Sequence, residues 1–493
     1  MLRPELPVSR SLSSIADQVG AIAPDLDLDI LGMTNVSSEI EEGDLFLAFA
    51  GKKVHGASYW KEAKALGARA VLTDAAGALL VQDFPTVVVA DPRRSSGNLS
   101  SWFYGEPMRD MFSVGITGTN GKTTTSTLLY QMWSYVGREA GLIGTVETRI
   151  GRDGVFSKRT TPESAELQSL VATMRERHVR NLAMEVSSHS IVLERIRGSH
   201  FNCIGFSNLT QDHLDFHPTM EEYFLAKSSL FTHEFADLAF INIDDPYGER
   251  LARLTQLPVI RLSRNDKRAD WSYTFVRAVS KGQEISIRGP GGILIEGTLA
   301  MFGDFNLDNA LMAIAIAVES GVDLVDIAAM LPRLTGAEGR LETINVGQPF
   351  SAFVDYAHSP DAVTRVLETC KSIATGKVIA VLGCGGDRDS SKRPLMGRAL
   401  IDGSQVAVFT SDNPRSENPE KILAEMTQGL DIHLPNAVVS DRHDAIAYAV
   451  SCAQPGDVVV VLGKGHESGQ EIAGVITPFD DRLQLAAALE GHR

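Results

Sequence analysis

The sequence predicts an α/β protein of about three domains, on three observations. The chain has 493 residues, and roughly 150 residues per domain is the usual scale. Short apolar runs alternate with helix-length segments almost throughout, the pattern of strands connected through crossover helices. Hydrophobic residues make up 44% and charged residues 22% of the chain, which suits several apolar cores and excludes wholesale disorder.

The elements fall into three blocks. In the first, residues 44–50, 70–73 and 86–90 read as strands and 59–66 as a helix, and the block closes near Pro107. The second opens with a buried strand over 111–117, a Gly/Thr-rich turn and a helix over 122–136. Gly137 ends that helix, because glycine accepts the left-handed conformation that stops one. Residues 182–186, 203–207 and 238–243 are further strands, and 307–319 is a long helix. Gly336 and Gly339 make 334–340 a hinge. In the third block, 353–356, 378–382, 406–410 and 458–462 are continuous apolar runs. They suit a mainly parallel, Rossmann-like sheet covered on both faces, with ligand groups on loops at the strand ends. The expected domains are 1–108, 109–337 and 338–493.

The net charge of −16 argues against a duplex DNA binder with a broad basic surface. No apolar stretch approaches the roughly 20 residues needed to span a bilayer, and the N-terminus lacks the basic-then-apolar order of a secretion signal. Membrane insertion is not expected, and the expected location is cytoplasmic. Cys203, Cys370, Cys384 and Cys452 form no C-x-x-C pair, so they read as mostly buried thiols in a reducing compartment rather than as a zinc or redox site.

The most informative segment is Gly118-Thr119-Asn120-Gly121-Lys122-Thr123-Thr124, between a buried strand and a helix start. Backbone N–H groups there can surround phosphate oxygens. Gly118 and Gly121 permit close approach, Lys122 supplies positive charge and Thr123 can ligate Mg²⁺. Ile116 stands where the strict phosphate-loop pattern has its first glycine, so this is a variant loop in a central P-loop domain that binds nucleotide phosphate, which alone does not identify the reaction. Glu185, His213 and Lys227 follow in later segments. Glu185 and His213 are chemically suited to a magnesium ion near the terminal phosphate, although hard oxygen ligands normally dominate such sites. Taken alone, Glu185 or His213 is more often a structural side chain, and Lys227 more often a solvated helix lysine.

Together the motifs resemble the Mur ligase family of ATP-dependent amide ligases. The matching pieces are the 118–123 loop, Glu185-Val-Ser-Ser-His, residues 208–215, Asn306-x-x-Asn309, Gly339-Arg340, Asp355-Tyr-Ala-His358 and Gly383-Cys-Gly-Gly-Asp-Arg388. They run in family order across nearly the whole chain. The resemblance implies that ATP converts a substrate carboxylate into an acyl phosphate, which an amine then attacks. It places Asn306 and Asn309 near the base, Arg340 near the phosphates and Asp355 near the ribose. Lys227 matches the family lysine that is carbamylated, which turns a cation into an anionic ligand for a second metal ion.

The third block further resembles the members that extend UDP-N-acetylmuramoyl-L-alanyl-D-glutamate. For that substrate the resemblance implies Ser37, Thr160, Thr161, Ser187 and Arg195, with Lys52, Lys53 and Val54 flanking the uridine diphosphate. Leu193 stands where some relatives have Gln. Asp412-Asn413-Pro414-Arg415 resembles the motif of members that add meso-diaminopimelate, whose second carboxylate suits a bidentate arginine. Arg388 would bind another carboxylate, while Glu467, in the segment that Gly463 opens as a further substrate-binding residue, would receive the distal ammonium. A lysine-adding homologue and a folylpolyglutamate synthetase-like ligase remain enzymatic alternatives, and a nucleotide-dependent regulatory protein is the non-enzymatic one. A monomer is expected.

Overall fold

A computed structural model describes residues 1–6, 8–51, 53–155, 159–214, 216–279 and 282–492. Three larger sheets, beside two two-stranded ones, organise the described residues. The first is all parallel, in the order Gly32–Thr34, Asp44–Leu47, Ala70–Thr73 and Thr86–Val88. The helix Trp60–Ala65 buries Trp60 and Ala63 against Phe46 and Val71.

The central sheet has eleven strands among the described residues. Phe112–Thr117 lies at its middle, parallel to Asn181–Glu185 on one side and Phe201–Phe206 on the other. Chain order reverses across that strand, and the loop following it opens into a crevice at the carboxyl edge, the usual ligand position in such sheets. The helix Lys122–Tyr135 follows that loop and packs Leu128, Leu129 and Met132 against Leu307, Leu311 and Ile314 of the helix Asp304–Glu319. Both helices are therefore held by one apolar core, and their N-terminal ends share the cleft.

The far side of this sheet departs from expectation. Val259–Ser263, Trp271–Val279, Gly282–Arg288 and Leu294–Leu299 add four strands, the last three an antiparallel meander. A register shift between Tyr273 and Phe275 breaks the two-residue alternation that marks a strand in sequence. Beyond it Phe275 and Val276 are exposed, so no apolar face announces the segment.

The third sheet runs Glu342–Thr343, Ser351–Asp355, Val458–Leu462, Val378–Cys384, Val406–Ser411 and Ala437–Val438, parallel except for its first strand. Every residue of Val378–Cys384 is buried, as a strand with helices on both faces requires. A small hairpin, Gly469–Ile472 with Val475–Pro478, stands outside this sheet. Cys203, Cys370 and Cys384 are buried and Cys452 half-buried, all as free thiols. No helix among the described residues is long and apolar enough to cross a membrane.

Candidate active site

The phosphate loop is fixed by two glycines in backbone conformations that other residues rarely adopt. Gly118 has φ 142° and Gly121 φ 89°. A Cβ on Gly118 would lie 2.0 Å from the Ser207 hydroxyl, and one on Gly121 2.2 Å from Asn309 Oδ1. The amides of Thr119 and Asn120 donate to the Asn208 backbone and side-chain oxygens at 2.8 and 3.0 Å. They are thus spent on holding the loop. The first-turn amides of the helix Lys122–Tyr135, those of Lys122, Thr123 and Thr124, are left without intrahelical partners and carry the positive end of the helix dipole.

Two lysines converge on this loop. Lys122 Nζ donates to the Gly118 and Thr119 carbonyls at 3.0 and 2.8 Å, and Lys227 Nζ, from the helix Met220–Ser228, donates to the same Gly118 carbonyl at 2.7 Å. Burial pulls both amines below the ordinary lysine range. For Lys122, Glu185 opposes the shift and Arg340 adds to it. Lys227 falls further, with Lys122 as a second cause.

Glu185 ends the strand Asn181–Glu185 and is fully buried. Its carboxylate accepts from Thr123 Oγ1 at 3.0 Å, the Thr145 amide at 2.7 Å and Thr145 Oγ1 at 3.1 Å. Thr145 Oγ1 lies 2.9 Å from Thr160 Oγ1, and Thr161 Oγ1 donates to the Glu185 carbonyl at 2.9 Å. The structure thus joins Thr123, Glu185, Thr160 and Thr161 into one oxygen-rich network. Thr145, at its centre, is absent from the sequence reading because it lies in no recognisable motif.

His213 lies across from His189, with ring centroids 5.0 Å apart. Desolvation among its neighbours holds it down at about 4, against the pull of Asp212. Ser187 caps the helix Ser188–Val192 by accepting from the Ser190 amide. Arg195 Nε pairs with Glu163 Oε1 at 2.9 Å, and Arg93 Nη1 takes Glu163 Oε2 at 3.1 Å. Arg93 in turn lies over the Phe49 ring of the first block. Ser37 is half-buried at the start of the short helix Ser37–Glu39, while Lys53 and Val54 are exposed. The expectations for Lys52 and Asp215 lie outside the described residues.

A cleft between the central and third sheets gathers the expected nucleotide residues. Gly121, Thr123, Asn309, Arg340 and Asp355 all line it. Asn306 is buried beside Asn309, their side chains 3.4 Å apart. The Arg340 guanidinium stacks over Tyr356 at 4.5 Å, and among the described residues its buried Nε has no hydrogen-bond partner. Asp355 accepts from the Leu341 and Ala357 amides at 2.6 and 2.7 Å. Here it pins the loops before and after the strand Ser351–Asp355, both on the third-sheet side of the cleft.

A second cavity of about 490 Å³ adjoins the first. Its central-domain wall includes Asp212 and His213, and its opposite wall Arg388, Asp412, Asn413, Arg415, Gly463 and Glu467. These residues are brought together by the ends of neighbouring parallel strands, Val378–Cys384, Val406–Ser411 and Val458–Leu462. Arg388 is exposed at the mouth. Pro414 presses its carbonyl to within 1.9 Å of where a Cβ on Gly386 would sit. Gly463 has φ 113°, and a Cβ there would meet Asp412 Oδ2 at 2.7 Å. Glu467 accepts from Asn413 Nδ2 at 2.7 Å and pairs with the wholly buried Lys464 at 3.3 Å. Lys464 is a second residue that sequence reasoning missed, although it stands inside the Gly463 to Glu467 segment.

Comparison with known proteins decides the family. The Mur ligase middle domain matches residues 116–317, the Mur ligase glutamate ligase domain 339–465 and the Mur ligase family catalytic domain 29–97. The chain belongs to the Mur ligase family. It is 46% identical over 487 residues to a Streptomyces coelicolor UDP-N-acetylmuramoyl-L-alanyl-D-glutamate–2,6-diaminopimelate ligase, covering 97% of this chain and 96% of that one. A Corynebacterium glutamicum Mur ligase of the same name is 43% identical over 469 residues, with 92% and 90% covered. A solved structure of a UDP-N-acetylmuramoyl-L-alanyl-D-glutamate–2,6-diaminopimelate ligase superposes with TM-score 0.70 at 31% identity, covering 98% and 99% of the two chains. A Mycobacterium tuberculosis folylpolyglutamate synthase shares the fold, with TM-score 0.60 at 18% identity over 75% and 92%.

Proposed function

We propose that the protein is an ATP-dependent ligase that joins meso-diaminopimelate to the D-glutamate of UDP-N-acetylmuramoyl-L-alanyl-D-glutamate, in the assembly of a peptidoglycan precursor. The observation that carries this reading is the acceptor cavity, where Asp412, Asn413, Arg415 and Glu467 converge opposite Asp212 and His213. The activity named for the Streptomyces and Corynebacterium relatives supports it. We assign the UDP-linked substrate to residues 1–108 and the facing segments 160–195, ATP to 109–337, and the amino acid to 338–493.

A carboxylate at neutral pH is a weak electrophile with no usable leaving group. In the proposed reaction its oxygen takes the terminal phosphoryl group of ATP, releasing ADP. The diaminopimelate amine then attacks the acyl carbon, and the tetrahedral adduct expels phosphate and a proton to leave the amide. Lys122 turns from the Gly118 and Thr119 carbonyls to the phosphates and, with the first-turn amides, offsets charge on the transferring group. Closure of the cleft orients the amine and keeps water from the acyl phosphate.

Thr123 and Glu185 bring hydroxyl and carboxylate oxygens together beside the loop, the hard donors that Mg²⁺ takes. With neutral His213 they would hold the ion, which when bound neutralises charge on the transferring phosphoryl group. Lys227 suits carbamylation, because its buried amine is held toward the neutral form that adds CO₂. The resulting carbamate would be a further metal ligand.

Arg415 provides the test. Arg415→Ala is expected to raise KM for meso-diaminopimelate at least about tenfold, the effect of losing a charge-assisted contact, with KM for ATP unchanged. An equal loss for every acceptor and for ATP would contradict the assignment.

A further inference from the structure

The hairpin Gly469–Ile472 with Val475–Pro478 lies outside the third sheet, and the proposed reaction gives it no task. Its first strand nevertheless makes a series of ties to the 412–415 segment. Gln470 Nε2 donates to the Asp412 carbonyl at 2.7 Å, and the Glu471 amide donates to Asn413 Oδ1 at 2.9 Å. The Arg415 amide donates to the Glu471 carbonyl at 3.0 Å, and the Ala473 amide to the Arg415 carbonyl at 2.7 Å. Arg415 is held between these bonds at φ 53°, a left-handed conformation that is strained for a non-glycine residue. The hairpin therefore grips both backbone polar groups of a strained residue in the acceptor cavity.

The side chain is constrained as well. Arg415 Nη1 donates to the Gly386 carbonyl at 2.6 Å, while Nε faces Glu471 Oε2 at 3.7 Å. A guanidinium hydrogen-bonded at Nη1 and facing a carboxylate at Nε is restricted in orientation, and among the described residues no hydrogen bond takes Nη2. Released from Glu471, the same group could swing about its flexible stem and lose directional preference.

Resting on the proposed acceptor, we infer that Glu471 is a positioning residue. It fixes the Arg415 guanidinium so that its remaining donors meet a carboxylate at the far end of the incoming amino acid. Selectivity between a diamino acid carrying that second carboxylate and one lacking it then depends on a residue that touches neither substrate.

Steady-state kinetics of the full-length protein with ATP, Mg²⁺ and the UDP-muramoyl dipeptide, using meso-diaminopimelate or L-lysine as acceptor, test this. Glu471→Ala should raise KM for meso-diaminopimelate about tenfold, a modest effect because Glu471 is 37% exposed. The kcat should stay within about twofold, with KM for ATP and for L-lysine unchanged, so that selectivity falls by the same factor. Glu471→Gln, which keeps the shape and loses the charge, should lie between the two and decides the matter if the alanine variant does not fold. An unaltered KM for meso-diaminopimelate, or an equal rise for both acceptors, overturns the inference while leaving the proposed function standing. A wild-type protein that ligates neither acceptor overturns the proposed function itself.

Discussion

Lys227 is 1% exposed, and its amine shares the Gly118 carbonyl with Lys122, an arrangement in which two cations would repel each other. Loss of one charge relieves it, which gives the carbamylation proposal a physical motive. Lys227→Ala is expected to abolish ligation and to recover part of it with an added short-chain carboxylate, measured as phosphate release. Undiminished activity in that variant would remove the role. Gly121→Ala should weaken ADP binding at least about tenfold by calorimetry, because alanine at φ 89° is strained and would press on Asn309.

His466 makes a different residue-scale prediction. Burial, aided by Arg340 and Arg482, holds its imidazole down at about 4. Below about pH 6.5 the unfolded chain takes up a proton that the folded chain refuses, so this residue lowers stability as pH falls from 6.5 towards 4. His466→Gln should flatten the difference in urea midpoint between pH 7.5 and 5. Residues whose chemistry depends on local spacing, such as Gly118, Gly121 and Lys122, are legible in sequence. Thr145, Lys464 and Glu471 are not, because each acquires its partner from a distant segment or from burial.

At the scale of elements, parallel strands were readable because they are buried on both faces and so are continuously apolar, as in Val378–Cys384 and Val458–Leu462. The strands Trp271–Val279 and Gly282–Arg288 were not, since a bulge breaks their alternation and one end is solvated. The hairpin 469–478 was hidden for a related reason, as every residue of Val475–Pro478 is exposed. The strands whose ends line the second cavity are joined by a buried ion pair. Arg442 bonds both Asp481 oxygens at 2.8 and 2.6 Å and also the Ser411 and Leu462 carbonyls at the ends of two strands. Asp481→Ala leaves that guanidinium buried without its counter-ion and should cost about 3–5 kcal/mol in denaturant unfolding.

At the scale of the molecule, both clefts lie between the central and third sheets, and the chain passes from one to the other through Gly336 and Gly339. Gly339 has φ 65°, and a Cβ there would lie 2.2 Å from the His466 amide nitrogen. The glycine pair was legible as a hinge candidate, while its contact with the loop after Val458–Leu462 appears only on folding. The central claim is that the molecule brings an activated carboxylate and a diamino acid together in the space between these sheets. Its most direct test is the product mass after incubation with ATP, Mg²⁺, UDP-N-acetylmuramoyl-L-alanyl-D-glutamate and either meso-diaminopimelate or L-lysine. The account predicts a product heavier by one diaminopimelate residue, formed with one ADP and one phosphate. ATP consumption without any lengthened peptide, or equal incorporation of lysine, would contradict it.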